Sequence, residues 1–305
     1  MKRMVSGLFV SVLIVMSACS GSNHTKERAF SIQDELESYI DSQDAKIGMA
    51  VIIDNKDTIS VNGDQAYQMM SVFKFPLALA LADKLDNANR SVEDSISISA
   101  EELLEGTYSP MLDKYGKRDI RLPIYEVLDW SLTQSDNNAA DIIINRLGGK
   151  EEIPGILRKL GIPSDIKIGA SEEDMYRDQN LSALNTSTPL AMAELFNRFN
   201  SEIKDSSPSY TKIASLMENC QTGIDRLAAP LPDKVVIGHK TGTGFSTPVG
   251  GVSAINDCGY VNLPDGRHYS IAVFVADSPK DPSSTATIIA HLSKMVYDYV
   301  IEEGK

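Results

Sequence analysis

Strand patterns lie at both ends of the chain, and this arrangement constrains the fold more than any other feature. Residues 47–53 form an apolar, β-rich run, and a turn cluster separates them from the alternating segment 58–61, which predicts a β-hairpin. Three more strands are predicted near the carboxyl end, at residues 249–255, 259–263 and 269–276. If both ends of the chain supply one sheet, the middle of the chain must be an insertion.

Residues 71–220 show mainly the apolar spacing of helices. The clearest helical segments are residues 75–85, 125–132, 139–147 and 189–199. A closing amphipathic helix is predicted from the apolar residues that recur between Ile288 and Val300. We therefore predict an α/β protein of the α+β type, in which terminal helices flank an antiparallel sheet and the middle of the chain forms an inserted all-helical subdomain.

The predicted organisation divides the chain into two subdomains. Residues 29–66 and 222–305 are assigned to the α/β subdomain, and residues 67–221 to the helical one. A groove is expected between them, and ligand sites favour such seams.

Residues 1–18 differ from the rest of the chain. Two basic residues, an apolar run and a small-residue exit predict a secretory signal peptide, which is too short for a transmembrane helix of about 20 residues. The ending before Cys19 resembles bacterial lipoprotein signals, in which the cysteine is lipidated; the alternative is ordinary cleavage near Ala18. Residues 19–28 are expected to be a spacer. The predicted location is the periplasm, with or without a membrane tether through Cys19.

The acidic composition disfavours nucleic acid as a partner. The net charge is −13, and it becomes −15 without residues 1–18, whereas phosphate recognition needs clustered Lys and Arg. The four histidines lack the close spacing of a zinc site, so neither a metal nor a cofactor is expected. Cys220 and Cys258 could pair in an oxidising compartment, although two free thiols are slightly favoured. The protein is expected to be a monomer.

Residues 71–74 read Ser-Val-Phe-Lys, with Pro76 soon after, so a helix is predicted to begin at about Ser71. Residues three apart on a helix share a face, so Lys74 is expected to reach the Ser71 hydroxyl. A serine hydroxyl is a poor nucleophile unless a neighbouring base takes its proton. Taken alone, the pattern is more often a capping serine beside a solvated lysine.

Two further motifs follow in the chain. Residues 135–137 read Ser-Asp-Asn between two predicted helices, where small polar residues usually serve as caps. Residues 240–242 read Lys-Thr-Gly after an apolar run, which suits an edge strand that receives an anionic substrate. The three motifs in this order are together the signature of class A β-lactamases and penicillin-binding proteins.

The chain resembles a class A serine β-lactamase over essentially its whole mature length, and in particular the extended-spectrum and cephalosporinase branch of Bacteroides-type bacteria. The resemblance implies the serine β-lactamase and penicillin-binding-protein fold, hydrolysis of cephalosporins and penicillins through an acyl-enzyme on Ser71, and antibiotic resistance. Two alternatives stay open: a DD-peptidase of the penicillin-binding class, and a non-catalytic binding module that kept the groove.

The resemblance also implies roles for individual residues. The proton of Ser71 would pass to Lys74, or to Glu172 through water, and Ser135 would relay a proton to the leaving nitrogen. The oxyanion would lie between the backbone N–H groups of Ser71 and Thr243. The residues implied to bind substrate are Tyr108, Asn137, Arg226, Lys240, Thr241, Gly242 and Thr243.

The discriminating residue is the base that activates the hydrolytic water. The resemblance implies Glu172, with Glu173 as second choice and Asp174 as third. The family pattern places Asn four residues after this base, whereas this chain has Tyr176, so we expect a rearranged loop before Asn185. Outside this loop, Asp136 is expected to brace its own loop, and His239 is expected to be structural.

Overall fold

The computed structural model describes residues 32–248 and 250–303. The predicted signal peptide, Cys19 and the spacer to residue 28 therefore lie outside the described residues. In the part of the chain that is described, no helix combines the length and the apolar character that crossing a membrane requires.

Nine strands are described, and five of them form the main sheet. Their bounds are β1 Lys46–Ile53, β2 Asp57–Val61, β3 Tyr67–Gln68, β4 Ser95–Ile98, β5 Ile120–Pro123, β6 Thr186–Ser187, β7 Val236–Thr243, β8 Val252–Asn262 and β9 His268–Ser278. The main sheet has the order β2-β1-β9-β8-β7, and all its neighbouring strands are antiparallel. Both ends of the chain contribute to this sheet, as predicted.

Ten α-helices accompany these strands in residues 32–248 and 250–303. Their bounds are α1 residues 32–41, α2 Lys74–Asn87, α3 Pro110–Tyr115, α4 Ile124–Thr133, α5 Asn137–Leu147, α6 Ile153–Lys159, α7 Glu172–Arg177, α8 Pro189–Arg198, α9 Pro208–Glu218 and α10 Pro282–Glu303. Short 3-10 turns cover Met70–Phe73, Ala100–Glu102 and Gln179–Leu184, and a π-helical turn covers Phe199–Ile203.

Successive side chains of a strand point to opposite faces of the sheet, and here both faces are buried. Met49 of β1 pairs with Val273 of β9, and both pack against the terminal helices α1 and α10. The neighbouring pair, Ala50 and Ala272, packs on the other side against the helical block. This three-layer arrangement confirms the predicted sheet flanked by terminal helices. The exact subdomain boundaries stay a prediction.

Two details differ from the sequence-based expectation. Strand β8 is one continuous strand of 11 residues where two strands, at 249–255 and 259–263, were expected. The buried polar residues Asn256 and Asp257 interrupt its apolar pattern, but their side chains are hydrogen-bonded in the interior. The helical block also contains two short two-stranded sheets, β3 with β6 and β4 with β5, so it is not entirely helical.

Candidate active site

Ser71 lies in the 3-10 turn that leads into α2. The α-helix itself begins at Lys74 and not at Ser71 as predicted. The preceding Met70 has a φ of +47°, a conformation that costs a side-chain-bearing residue about 1–3 kcal/mol. The surrounding structure therefore has to hold this turn in place.

Three contacts hold the turn. The Asn256 side-chain amide donates to the carbonyls of Gln68 and Met69, at 2.8 and 3.1 Å. The Met69 N–H donates to the Asn185 carbonyl at 2.9 Å. At Gly242 of β7, a Cβ would lie 2.4 Å from the Met69 carbonyl oxygen, so only glycine lets this strand come so near the turn.

The Lys74 ammonium is fully buried and has three oxygen partners. It donates to the Ser135 carbonyl at 2.7 Å and to Asn137 Oδ1 at 2.8 Å, and it lies 2.8 Å from Glu172 Oε1. Among residues 32–248 and 250–303, no hydrogen bond joins the Ser71 hydroxyl to Lys74, contrary to the sequence-based expectation. Lys74 is placed instead as the centre of a network that connects the first two motifs with the Glu172 carboxylate.

The second motif lies in the turn between α4 and α5. Ser135 has a φ of +61°, and Asp136 caps α5 by accepting the Ala139 N–H at 2.8 Å. The other carboxylate oxygen of Asp136 accepts from the Ser109 hydroxyl at 2.8 Å and from the Met111 N–H at 2.7 Å. Burial raises the pKa of this carboxyl. Asp136 thus connects the starts of α3 and α5, which is the bracing contact expected for it.

The third motif lies on the edge strand β7. The fully buried Lys240 donates from its ammonium to the Ser135 hydroxyl at 2.9 Å and to the Thr241 carbonyl at 3.1 Å. Burial lowers the pKa of Lys240 to about 7. The Thr241 hydroxyl lies 2.6 Å from the Thr222 hydroxyl. The last strand residue, Thr243, is exposed.

The three neighbouring acids of α7 have different partners. Glu172 is 8% exposed and contacts Lys74. Glu173 forms an ion pair with Arg177 on the protein surface. Asp174 forms one with Lys150 and closes a capping box with Ser171. Of the three, Glu172 is the one that contacts the Lys74 network.

These groups surround a cavity of about 520 Å³. The predicted site residues that line it are Ser71, Tyr108, Ser135, Asn137, Glu172, Thr241 and Thr243. Lys74 and Lys240 lie behind the wall and contact it through Ser135, Asn137 and Glu172. Two half-exposed rings, those of Tyr108 and Tyr176, also line the cavity, together with Phe245. A serine hydroxyl, a buried ammonium and a buried carboxylate around one cavity can support acyl transfer followed by attack of water.

A family model described as the β-lactamase enzyme family matches residues 31–300. The chain belongs to this family. A β-lactamase of Phocaeicola vulgatus is 37% identical over 275 residues, which cover 89% of this chain and 85% of the relative. The crystal structure of the TLA-1 extended-spectrum β-lactamase is 36% identical and has a TM-score of 0.86, covering 90% of this chain and 99% of its own. A class A β-lactamase from Bacteroides cellulosilyticus is 34% identical, with a TM-score of 0.85 and coverages of 90% and 99%.

The protein is thus a class A β-lactamase, an antibiotic-hydrolysing enzyme. In this β-lactamase, Arg226 does not line the cavity. The residue is 8% exposed, and its guanidinium donates to the carbonyls of Gly242 and Asn256 at 3.0 and 2.8 Å and to the Thr243 hydroxyl at 2.7 Å. Burial lowers the pKa of Arg226. Arg226 therefore orients the Thr243 hydroxyl, and this hydroxyl can in turn bind an anion.

Two residues that shape the Glu172 loop were not assigned from the sequence. Asp141 accepts the N–H groups of Glu172 and Glu173 at 2.7 and 2.8 Å and so caps α7, and burial raises its pKa to about 7. Asn185 is fully buried, and its amide oxygen accepts the N–H groups of residues 169 and 170 at 2.9 and 3.0 Å. Asp141 lies four residues after Asn137 on α5, a spacing that could have indicated it. Nothing in the sequence singled out the role of Asn185.

Proposed function

We propose that this enzyme hydrolyses cephalosporins and penicillins through an acyl-enzyme on Ser71, and thereby confers antibiotic resistance. The observation that carries the proposal is the position of Glu172, because a carboxylate next to the nucleophile is what hydrolysis of an acyl-enzyme needs. Glu172 lies 2.8 Å from Lys74 and lines the same cavity as Ser71. Glu173 and Asp174 are engaged in ion pairs elsewhere.

In acylation, the Ser71 oxygen attacks the lactam carbonyl, and its proton passes to Lys74 directly or to Glu172 through a water molecule. The oxyanion is stabilised by the backbone N–H groups of Ser71 and Thr243, and loss of one such donor typically reduces the rate about 10²–10³-fold. As the lactam C–N bond breaks, Ser135 relays a proton to the leaving nitrogen. Its hydroxyl accepts a hydrogen bond from Lys240, which leaves its own proton free for the nitrogen.

Substrate binding uses the two sides of the cavity differently. Lys240 and the hydroxyls of Thr241 and Thr243 bind the substrate carboxylate, with Arg226 acting through Thr243. The Asn137 amide binds the side-chain amide of the drug, and the exposed Tyr108 ring forms the gate. Gly242 contributes by its lack of a side chain, which lets β7 approach the Met69 carbonyl in front of Ser71.

In deacylation, Glu172 takes a proton from water as the water oxygen attacks the ester carbonyl on Ser71. The bond between the carbonyl carbon and the Ser71 oxygen then breaks, and the proton passes from Glu172 to Ser71. The test is Glu172→Gln, which removes the base and keeps the shape. We expect rapid acylation by a chromogenic cephalosporin and an acyl-enzyme that mass spectrometry detects for hours, because no group remains to activate the water. Glu173→Gln is the matched control, and it should turn over at the wild-type rate.

Each contrary outcome has a distinct meaning. Turnover that survives in Glu172→Gln and is lost in Glu173→Gln would reject Glu172 as the base. It would not contradict the proposal of an acyl-enzyme on Ser71. A long-lived adduct on Ser71 in the wild type, with no turnover, would favour the DD-peptidase. No adduct with any β-lactam would favour the binding module.

We also propose that the enzyme is a periplasmic monomer, either free or tethered through a lipid on Cys19. The basis is the pattern of residues 1–19 in the sequence. Metabolic labelling with palmitate tests the tether: labelled wild type and unlabelled Cys19→Ser are expected, and an unlabelled wild type would exclude it. Analytical ultracentrifugation of the mature protein tests the monomer.

A further inference from the structure

Another cavity lies beside the loop that carries Glu172. It is lined by residues of α6, by the segment 162–169 that follows and by Leu184 of the 3-10 turn. This cavity and the active-site cavity share none of their described lining residues. Its volume is about 450 Å³, and small-molecule sites usually have about 300–1,000 Å³. The cavity is therefore large enough for a small ligand of its own.

The lining of this cavity is aliphatic apart from a glycine and the three polar residues Arg158, Ser164 and Lys167. Its buried wall is formed by Leu157, Ile162, Ile166 and Ile168. Leu184, in contrast, is 50% exposed. A half-exposed leucine beside an apolar wall loses contact with water when an apolar ligand covers it, and this loss is favourable. The lining therefore suits an alkyl chain.

Two of the polar lining residues, Arg158 and Lys167, are exposed cations. Within residues 32–248 and 250–303, neither has a carboxylate within ion-pair distance. Asp165 lies between them in the sequence, but it does not line the cavity. The chain as a whole carries a net charge of −13, so two uncompensated cations at one cavity favour an anionic ligand at this place.

The cavity wall also joins the two ends of the Glu172 loop. The Lys167 N–H donates to the Thr186 carbonyl at 2.8 Å, and the Thr186 N–H donates to the Lys167 carbonyl at 3.0 Å. A Cβ at Gly169 would lie 3.3 Å from Leu184 Cβ, so the two ends of the loop are in contact where they line the cavity. A ligand that covers Gly169 and Leu184 has its full set of contacts only while these ends are together, and it therefore stabilises that arrangement.

We propose that this cavity binds small amphipathic anions, in which an alkyl chain ends in a carboxylate. The chain lies along the aliphatic wall and covers Leu184, and the carboxylate binds Arg158 and Lys167. Both parts of the ligand are needed, because exposed cations alone bind a small anion only weakly. Binding holds the two ends of the Glu172 loop together and slows their local opening. The site is separate from the β-lactam site, so the inference does not depend on the proposed reaction.

Decanoate below its micelle-forming concentration is the probe, and isothermal titration calorimetry measures its binding to residues 19–305, produced without the signal peptide. We expect one saturable site. Arg158→Gln and Lys167→Gln should each raise the Kd about two- to fivefold, because each removes one exposed charge contact. Lys159→Gln is the matched control and should keep the wild-type Kd, since Lys159 is also an exposed cation of α6 but does not line the cavity. Decyltrimethylammonium, which has the same chain and the opposite charge, should bind about tenfold more weakly.

Hydrogen–deuterium exchange locates the bound ligand. Decanoate should slow amide exchange severalfold in the segments 162–170 and 184–186, because a ligand that binds the folded loop reduces its local opening. Leu184→Ser should reduce both this protection and the affinity. The segments 106–108 and 241–245, which contribute to the active-site cavity, should exchange at the same rate with and without decanoate.

Four results would overturn the proposal. Protection confined to the segments of the active-site cavity would place the ligand there. Equal Kd values for decanoate and decyltrimethylammonium, or for the wild type and both glutamine variants, would reject an anionic ligand. Absence of saturable decanoate binding would reject a small ligand, and cosedimentation with phosphatidylglycerol vesicles that requires Arg158 and Lys167 would then identify a membrane-binding surface. None of these measurements uses turnover, so failure of the proposed function is distinguishable from failure of this site.

Discussion

Gly242 is the point at which β7 comes nearest to the turn that carries Ser71. A Cβ at this position would lie 2.4 Å from the Met69 carbonyl oxygen and 3.1 Å from Met70 Cβ. Ordinary van der Waals contact begins at 3.4 Å, so Gly242→Ala must move the strand and the turn apart by about 1 Å. The contact is with backbone, so rotation of a side chain cannot relieve it.

The expected effect on the chemistry is larger than the effect on stability. Overpacking of a well-packed interior costs about 1–3 kcal/mol, which lowers Tm by a few degrees in a chain of this size. The displacement also separates the Ser71 and Thr243 N–H groups, which are proposed to bind the oxyanion together. A misplacement of about 1 Å can reduce a rate about 10²-fold. We therefore expect kcat/KM for a cephalosporin to fall about a hundredfold.

The assay combines turnover of a chromogenic cephalosporin with thermal unfolding of the same sample. Gly155→Ala in α6 is the matched control, because a Cβ there has no atom within 4 Å and alanine in place of glycine stabilises a helix by about 0.5–1 kcal/mol. This control should keep full activity and unfold at a slightly higher temperature. If folded Gly242→Ala retains kcat/KM within threefold of the wild type, the close approach at Gly242 does not position the oxyanion donors.

Three further predictions follow from buried polar groups. Asn185→Ala leaves the N–H groups of residues 169 and 170 without their acceptor, so the free energy of unfolding measured in urea should fall by about 1–3 kcal/mol. The deacylation rate should also fall, and an unchanged rate would show that Glu172 is held without Asn185. Because the pKa of Lys240 is lowered to about 7, the KM for an anionic cephalosporin should rise as the pH increases through 7, and a flat profile up to pH 9 would contradict this. His239 has a folded-state pKa raised to about 10 from about 6.5, so its contribution to stability is complete below pH 6.5 and is lost as the pH rises through 10. In denaturation curves measured between pH 6.5 and 10, His239→Asn should remove this contribution to the pH dependence of the free energy of unfolding.

Local patterns predicted the three motifs well because each is a short segment whose neighbours in sequence are also neighbours in space. The apolar run before Lys240 does form β7, and the Ser-Asp-Asn segment does lie between α4 and α5. The order of the motifs was sufficient to indicate that they would lie around one cavity. The same reasoning misplaced the start of α2, because the 3-10 turn at Ser71 is held by Asn256 and Asn185, which are more than a hundred residues away.

The continuous strand β8 could not be predicted from periodicity. A buried strand reads as an apolar run, and polar residues inside it normally indicate a break. Asn256 and Asp257 occupy the interior because the turn before Ser71 and the imidazole of His239 supply their hydrogen-bond partners. These partners lie on other elements, so the sequence of the strand alone contains no sign of them. The polar residues that obscured the strand are those that position the active site.

The distribution of buried charge explains how an acidic enzyme can bind an anionic drug. Lys74 has a carboxylate partner, Glu172, at 2.8 Å, so its charge is compensated within the protein. In the described part of the chain, Lys240 has no carboxylate within ion-pair distance and donates only to neutral oxygens. Arg226 donates to two carbonyls and a hydroxyl, and its ion-pair partner Asp225 lies 4.0 Å away. Lys240 and Arg226 are both on the β7 side of the cavity, so the carboxylate of a bound substrate can act as the counter-charge that Lys240 lacks, whereas the Lys74 side is already neutral and suited to proton transfer.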